Sequence, residues 1–207
     1  MPHVPQLLSV VVLIIMMSVV GCASIPTQEM SDARQAIKAA RNVKAEYYVP
    51  THLAEAEQNL TQAERHLEAG QFQKARLGAI LAKEQAVNAH KMTVALERAN
   101  QIWQETVIIQ PASLTEPKTK LLEQALHAAR QNDIEKTIAF AEEAYRQGQL
   151  ALNQAWLDRS RILINEIKIR KTALSSEENV ILNNAIAAYF RNEGKKAYDL
   201  VNQLQKN

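Results

Sequence analysis

The chain has 207 residues, with 24 Lys and Arg against 22 Asp and Glu and a formal net charge of +2, a balance that gives no compositional support to a nucleic-acid partner. Cys22 is the only cysteine, so no intramolecular disulfide is available and packing alone must hold the fold in an oxidising compartment. With only 5 Gly, 6 Pro and few aromatics beside abundant Ala, Glu, Gln, Lys and Leu, the composition is helical.

In chain order the first feature is an apolar run, Leu7 to Val20, followed by the small-residue step Gly21-Cys22-Ala23-Ser24. The run is shorter than the roughly 20 apolar residues a membrane-spanning helix needs, and its layout is that of a secretory signal, although its start carries no Lys or Arg. Val19-Val20-Gly21-Cys22 resembles the lipobox of bacterial lipoproteins. That resemblance implies cleavage before Cys22, recognition of Val19, Val20 and Gly21 by the signal peptidase, and covalent attachment of a diacylglycerol and an N-acyl chain to Cys22. A thiolate is a suitable nucleophile for such acylation. Two or three acyl chains at about 0.8 kcal/mol per buried CH₂ would hold the protein durably without any spanning segment. In the family's sorting logic Asp after the cysteine retains a protein in the inner membrane; Ala23 at that position implies the outer membrane, facing the periplasm. Residues 1–21 are thus expected as a cleaved signal peptide and 22–30 as a lipidated tether.

Beyond the tether, apolar and small residues step by 3 and 4, which places each set on one helix face. The sets are Ala33, Ala36, Ala40, Val43 and Tyr47; Leu53, Ala56, Leu60, Ala63 and Leu67; Phe72, Ala75, Ala79, Ala82, Ala86 and Ala89; and Ile134, Thr137, Ala141, Ala144, Gly148, Ala151 and Ala155. Pro50, Gly70, the segment Gln110–Pro117 and Ser175-Ser176-Glu177-Glu178 supply the stops and starts. About seven helices are expected, over residues 28–48, 51–69, 72–108, 117–131, 134–173, 176–191 and 194–206. They form a first helical region at 31–109, a Pro-containing linker at 110–117 and a second helical region at 118–207.

An internal repeat aligns the segments beginning at Asn59, Leu121 and Ile181 without gaps. Leu60, Leu122 and Leu182 coincide, as do Ala63, Ala125 and Ala185, while Gly70, Asn132 and Asn192 fall at the turn. These are the residue types that best tolerate a left-handed backbone. The expected fold is therefore all-α, an array of three antiparallel helical hairpins whose stacking builds a continuous core.

Residues 28–107 resemble a family of bacterial outer-membrane lipoproteins known only as a domain of unknown function. The likeness rests on Ala33-x-x-Ala36, AEYYVP at 45–50, Leu53-x-x-Ala56-x-x-x-Leu60-x-x-Ala63 and Gly70-x-Phe72-x-x-Ala75. Many members of that family continue into a peptidoglycan-binding domain, whereas this chain continues into further helices. The Gly70 turn is also similar to that of tetratricopeptide repeats, although the unit here is about 60 residues rather than about 34.

No catalytic constellation emerges. His52, His66, His90 and His127 form neither Glu-x-x-His nor His-x-x-x-His pairs, and are expected to face solvent or cap helices rather than bind metal. There is no nucleophile elbow or phosphate loop, and Glu142-Glu143 reads as a solvated face. Arg159, Arg161, Lys168, Arg170 and Lys171 read as a charged helix end, and Trp103 and Trp156 as packing anchors. The expected function is a non-catalytic scaffold or adaptor with an envelope-protein partner and no cofactor, nucleic acid or small-molecule substrate. The alternatives are a tetratricopeptide-like or pilotin-like peptide-binding module and, less favoured, a wall-acting enzyme.

Overall fold

The computed structural model describes residues 24–109, 116–170 and 174–205; the expected signal segment, Val19, Val20, Gly21, Cys22 and most of the 110–117 linker lie outside the described residues. The described residues form eight helices and no strand, so the fold is all-α. These are α1 (Thr27–Asn42), α2 (Ala45–Tyr48), α3 (Pro50–Glu68), α4 (Phe72–Ile109), α5 (Glu116–Arg130), α6 (Ile134–Arg170), α7 (Ser176–Phe190) and α8 (Gly194–Gln203).

The single helix expected over 28–48 is two. Lys44 adopts φ 65°, ending α1 and starting α2, so Ala45 and Val49 are buried while Tyr47, expected on the apolar stripe, is 79% exposed. No glycine or proline marks this break. Burial of Ala45 and Val49 is what offsets the cost of a left-handed lysine there. α1 also begins at Thr27, inside the stretch expected as tether, and Met30 is already buried.

Contacts divide the chain into two compact units. Of the described residues, the first contains those up to Ala39 together with Ala54–Val87, and the second Ala40–Leu53 together with those from Asn88 onward. In the first unit the core gathers Met30 and Ala33 of α1, Ala63 of α3, and Ala79 and Ala82 of α4, with Leu60 and Leu67 packed against it. Alanines at these steps let helices approach closely at no side-chain entropy cost. Arg34 pairs with Glu64 and Lys83 with Asp32 around the rim.

In the second unit α5 packs on α6, and α8 on both α6 and α7. Ile164 and Ile167 of α6 meet Leu182 and Ala185 of α7 and Val201 and Leu204 at the end of α8 in a branched aliphatic cluster. α7 starts with a capping box: Glu178 N donates to Ser175 Oγ at 3.2 Å, and Ser175 N donates to the Glu178 carboxylate at 2.9 Å.

Gly70 (φ 72°), Asn132 (φ 62°) and Asn192 (φ 62°) share one turn geometry. Their amides donate to Leu67 O, Ala129 O and Tyr189 O at 3.0, 3.2 and 3.0 Å. The next amides, of Gln71, Asp133 and Glu193, reach back to His66 O, Ala128 O and Ala188 O at 2.8, 3.0 and 3.0 Å. This is the Schellman arrangement, which satisfies the last carbonyls of a helix and needs a left-handed residue at its centre. In the first turn of the helix that follows each of them, Ala75, Thr137 and Ala197 are completely buried.

Candidate functional site

The surface of the described residues contains an open groove in the second unit, built by α4 and α6. One wall comes from His90, Lys91, Val94, Ala95 and Arg98 and the other from Ile138, Glu142 and Tyr145, around a volume of about 360 Å³. Lys91, Val94, Ala95 and Arg98 follow the i, i+3, i+4, i+7 spacing of one helix face, and Ile138, Glu142 and Tyr145 the i, i+4, i+7 spacing of another. Val94 and Ala95 lie beside the fully buried stripe of Met92, Thr93, Leu96 and Ala99, which explains their half-buried position. The two helices approach closely where Gly148 meets Ile102 and Trp103. A Cβ at residue 148 would stand 2.4 Å from Ile102 Cγ2 and 3.3 Å from Trp103 Cε2, so a larger residue there would force Ile102 to move.

The groove joins an apolar floor to charged rims. The Arg98 guanidinium lies 4.6 Å from the centre of the Tyr145 ring, a cation–π geometry that fixes both side chains. Lys91 and Glu142 are exposed on opposite walls. Such an arrangement suits an apolar side chain flanked by charges. A smaller groove of about 150 Å³ lies between α6 and α7, where Ile186, Tyr189 and the exposed Phe190 face Arg161 and Lys168.

The basic residues of α6 have separate local roles. Arg159 Nη1 donates to Ile109 O at 3.2 Å, placing a cation on the C-terminal carbonyl of α4, and Arg161 pairs with Asp158 at 3.2 Å. The side chains of Arg170 and Lys171 lie outside the described residues. Trp156 packs against Tyr198 with ring centres 4.7 Å apart and ring planes inclined at 45°, and carries Lys195 over its face at 5.2 Å, so it anchors α8 to α6. Asn153 locks the third turn by donating to Asn192 O at 3.1 Å and accepting from Gly194 N at 3.0 Å. Trp103 is buried.

Of the histidines, His52 is buried, contrary to the expectation that all four face solvent or cap helices; it sits on the inner face of α3 beside Leu53. His66 contacts Gln71 across the first turn at 2.9 Å, and His90 lines the groove. Among the described residues no group of three or more His, Cys, Asp and Glu side chains is placed to hold a metal ion. Lys83 and Gln28 hold the Asp32 carboxyl below its ordinary range, Lys136 does the same for Asp133, Gln147 and Arg146 for Glu143, and Lys196 for Glu193. These carboxylates are anions in surface pairs, not proton donors near neutral pH.

Sequence singled out His90 and Glu142 separately, as a histidine not expected to bind metal and as part of a solvated face, but did not bring them together with the other groove residues. The groove walls come from two helices far apart along the chain, and the wall residues lie off the buried stripes of those helices. Residues 28–105 match the family model described as "Domain of unknown function (DUF4398)", less than half of the chain. No curated protein and no solved structure matches the chain.

Proposed function

We propose that this chain is a lipid-anchored protein of the outer membrane, facing the periplasm, whose helices serve as a non-catalytic scaffold or adaptor for another envelope protein. The observation that carries the reading is Val19-Val20-Gly21-Cys22 at the end of a short apolar run, with no other cysteine in the chain. In this reading Cys22 bears a diacylglycerol and an N-acyl chain, and the helices act near the membrane through exposed surface. No helix among the described residues is long and apolar enough to cross a membrane, and in this reading the acyl chains are the anchor. The hairpin array read from the repeat supplies long, regular helix faces, and the three equivalent turns at Gly70, Asn132 and Asn192 support that arrangement.

The α4–α6 groove favours a second reading, a module that holds a peptide segment in a cleft. Its apolar floor of Val94, Ala95 and Ile138 is the kind of surface such a segment fills. Both readings require the anchor. Cys22→Ala, with the signal segment still removed, is expected to move the protein from the membrane fraction to the soluble fraction. A mature-sized Cys22→Ala protein that stays with membranes through a high-salt wash would end the lipid-anchor reading.

A further inference from the structure

The first half of α4 is built inside out by size. It buries Ala75, Ala79, Ala82 and Ala86 completely and turns Leu77, Ile80 and Leu81 to the surface, at 67, 46 and 45% exposure. Residues 77, 80 and 81 share one helix face by their spacing. A neighbouring set of large exposed aliphatic side chains is the informative departure from ordinary surfaces, because isolated ones need no explanation. Exposed Lys74 and Glu84 flank the face.

The start of the described chain shows what covers it. Arg76, the residue before Leu77, holds Ser24 by two hydrogen bonds, from Nη2 to the backbone oxygen at 3.1 Å and to Oγ at 2.9 Å. The same guanidinium pairs with Glu29 at 2.7 Å in a partly buried contact. Pro26 and Met30 are buried, so the chain has little slack from Ser24 onward. Cys22 lies two residues before Ser24, a covalent reach of about 7 Å. Ile25, between the held serine and the buried proline, is 57% exposed.

We propose that the Leu77, Ile80 and Leu81 face of α4, with Ile25, rests on the lipid surface. The first unit is then seated on the membrane and does not hang from it on a loose leash. The inference rests on the reading that Cys22 is acylated. Acyl chains on Cys22 enter the bilayer within about 7 Å of Ser24, and Arg76 ties Ser24 to the turn that carries Leu77 and precedes Ile80. Of the orientations so short a link allows, the one that removes these aliphatic side chains from water is favoured. Lys74 at the edge of the face complements anionic headgroups.

The test uses the full chain, purified from membranes after processing and reconstituted into vesicles of phosphatidylethanolamine and phosphatidylglycerol. With Cys22 acylated, Leu77→Cys supplies the only free thiol for an environment-sensitive dye; Gln35→Cys on α1 and Gln62→Cys on α3, both at exposed positions, are the comparisons. Circular dichroism checks that each labelled protein keeps its helix content, and mass spectrometry reads acylation of Cys22. The expected result is a blue shift and gain in emission at residue 77, with loss of most of that emission to a spin label near the headgroup, and water-like emission at 35 and 62. Acylated protein with water-like emission at all three positions would overturn the proposal, leave the anchor intact, and free the face for a protein partner. Equal quenching at all three positions would also overturn it. Unacylated Cys22 would remove the anchor reading and this proposal together.

Discussion

The core cluster of the first unit and the cluster at the end of the second reach burial by different means, although the second unit also buries alanines such as Ala99, Ala141, Ala144 and Ala185 completely. The core of the first brings together Met30, Ala33, Ala63, Ala79 and Ala82, four of them alanines, whereas the cluster at the end of the second relies on Ile164, Ile167, Leu182, Val201 and Leu204. Alanine contributes little transfer free energy itself, but lets backbones and neighbouring side chains come into dense contact. Branched aliphatic residues contribute burial directly, at about 1.5–3 kcal/mol for a fully buried side chain. The alanine cluster is therefore sensitive to added volume and the aliphatic cluster to removed volume.

Truncation in the second unit carries the largest expected effect. Leu182→Ala is expected to lower stability by about 2–5 kcal/mol through lost burial and a residual cavity, read from the urea midpoint of the chain made from residue 23 onward. A loss below about 1 kcal/mol would mean that the cluster between α6, α7 and α8 collapses freely, and the contrast with the first unit would weaken.

Enlargement in the first unit comes next. Ala63 is fully buried, and a Cβ added at Gly78 would already stand 3.0 Å from Ala63 Cβ. Ala63→Leu is expected to cost about 1–3 kcal/mol by overpacking, measured by the same urea series. A neutral or stabilising result would show that the alanine core has room, and the two clusters would not differ in kind.

The smallest expected effect lies at the turn. Gly70 has φ 72°, and an added Cβ would meet nothing within 4 Å, so substitution there tests backbone conformation alone. Gly70→Val is expected to cost about 1–2 kcal/mol, and Gly70→Asn to be nearly neutral because Asn132 and Asn192 hold the same conformation at φ 62°. Thermal melts of the two variants check this. A valine variant as stable as the parent would separate the Gly70 turn from the other two.

The long helices were legible because their buried faces repeat. The alanines of α4 that step by 3 and 4 are the ones with no exposed surface, and the Ser175 capping start is formed as its sequence suggests. The break at Lys44 was not legible, since tertiary burial of Ala45 and Val49 decides it and no local signal marks it. Nor could the groove be read, because residue spacing within α4 cannot say that α6, distant along the chain, completes the wall. The exposed Leu77, Ile80 and Leu81 were hidden by the same regularity: a helix with an alanine stripe and a second stripe of larger aliphatic residues has two apolar faces, and only packing shows which is inside.

The chemistry of Cys22 decides how the protein is anchored. Intact-mass and N-terminal peptide mass spectrometry of the protein extracted from membranes tests it most directly. The predicted result is a chain that begins at Cys22, with a diacylglyceryl thioether on its sulfur and an acyl group on its amine. A chain that still begins at Met1, or one that carries an unmodified Cys22, would contradict it.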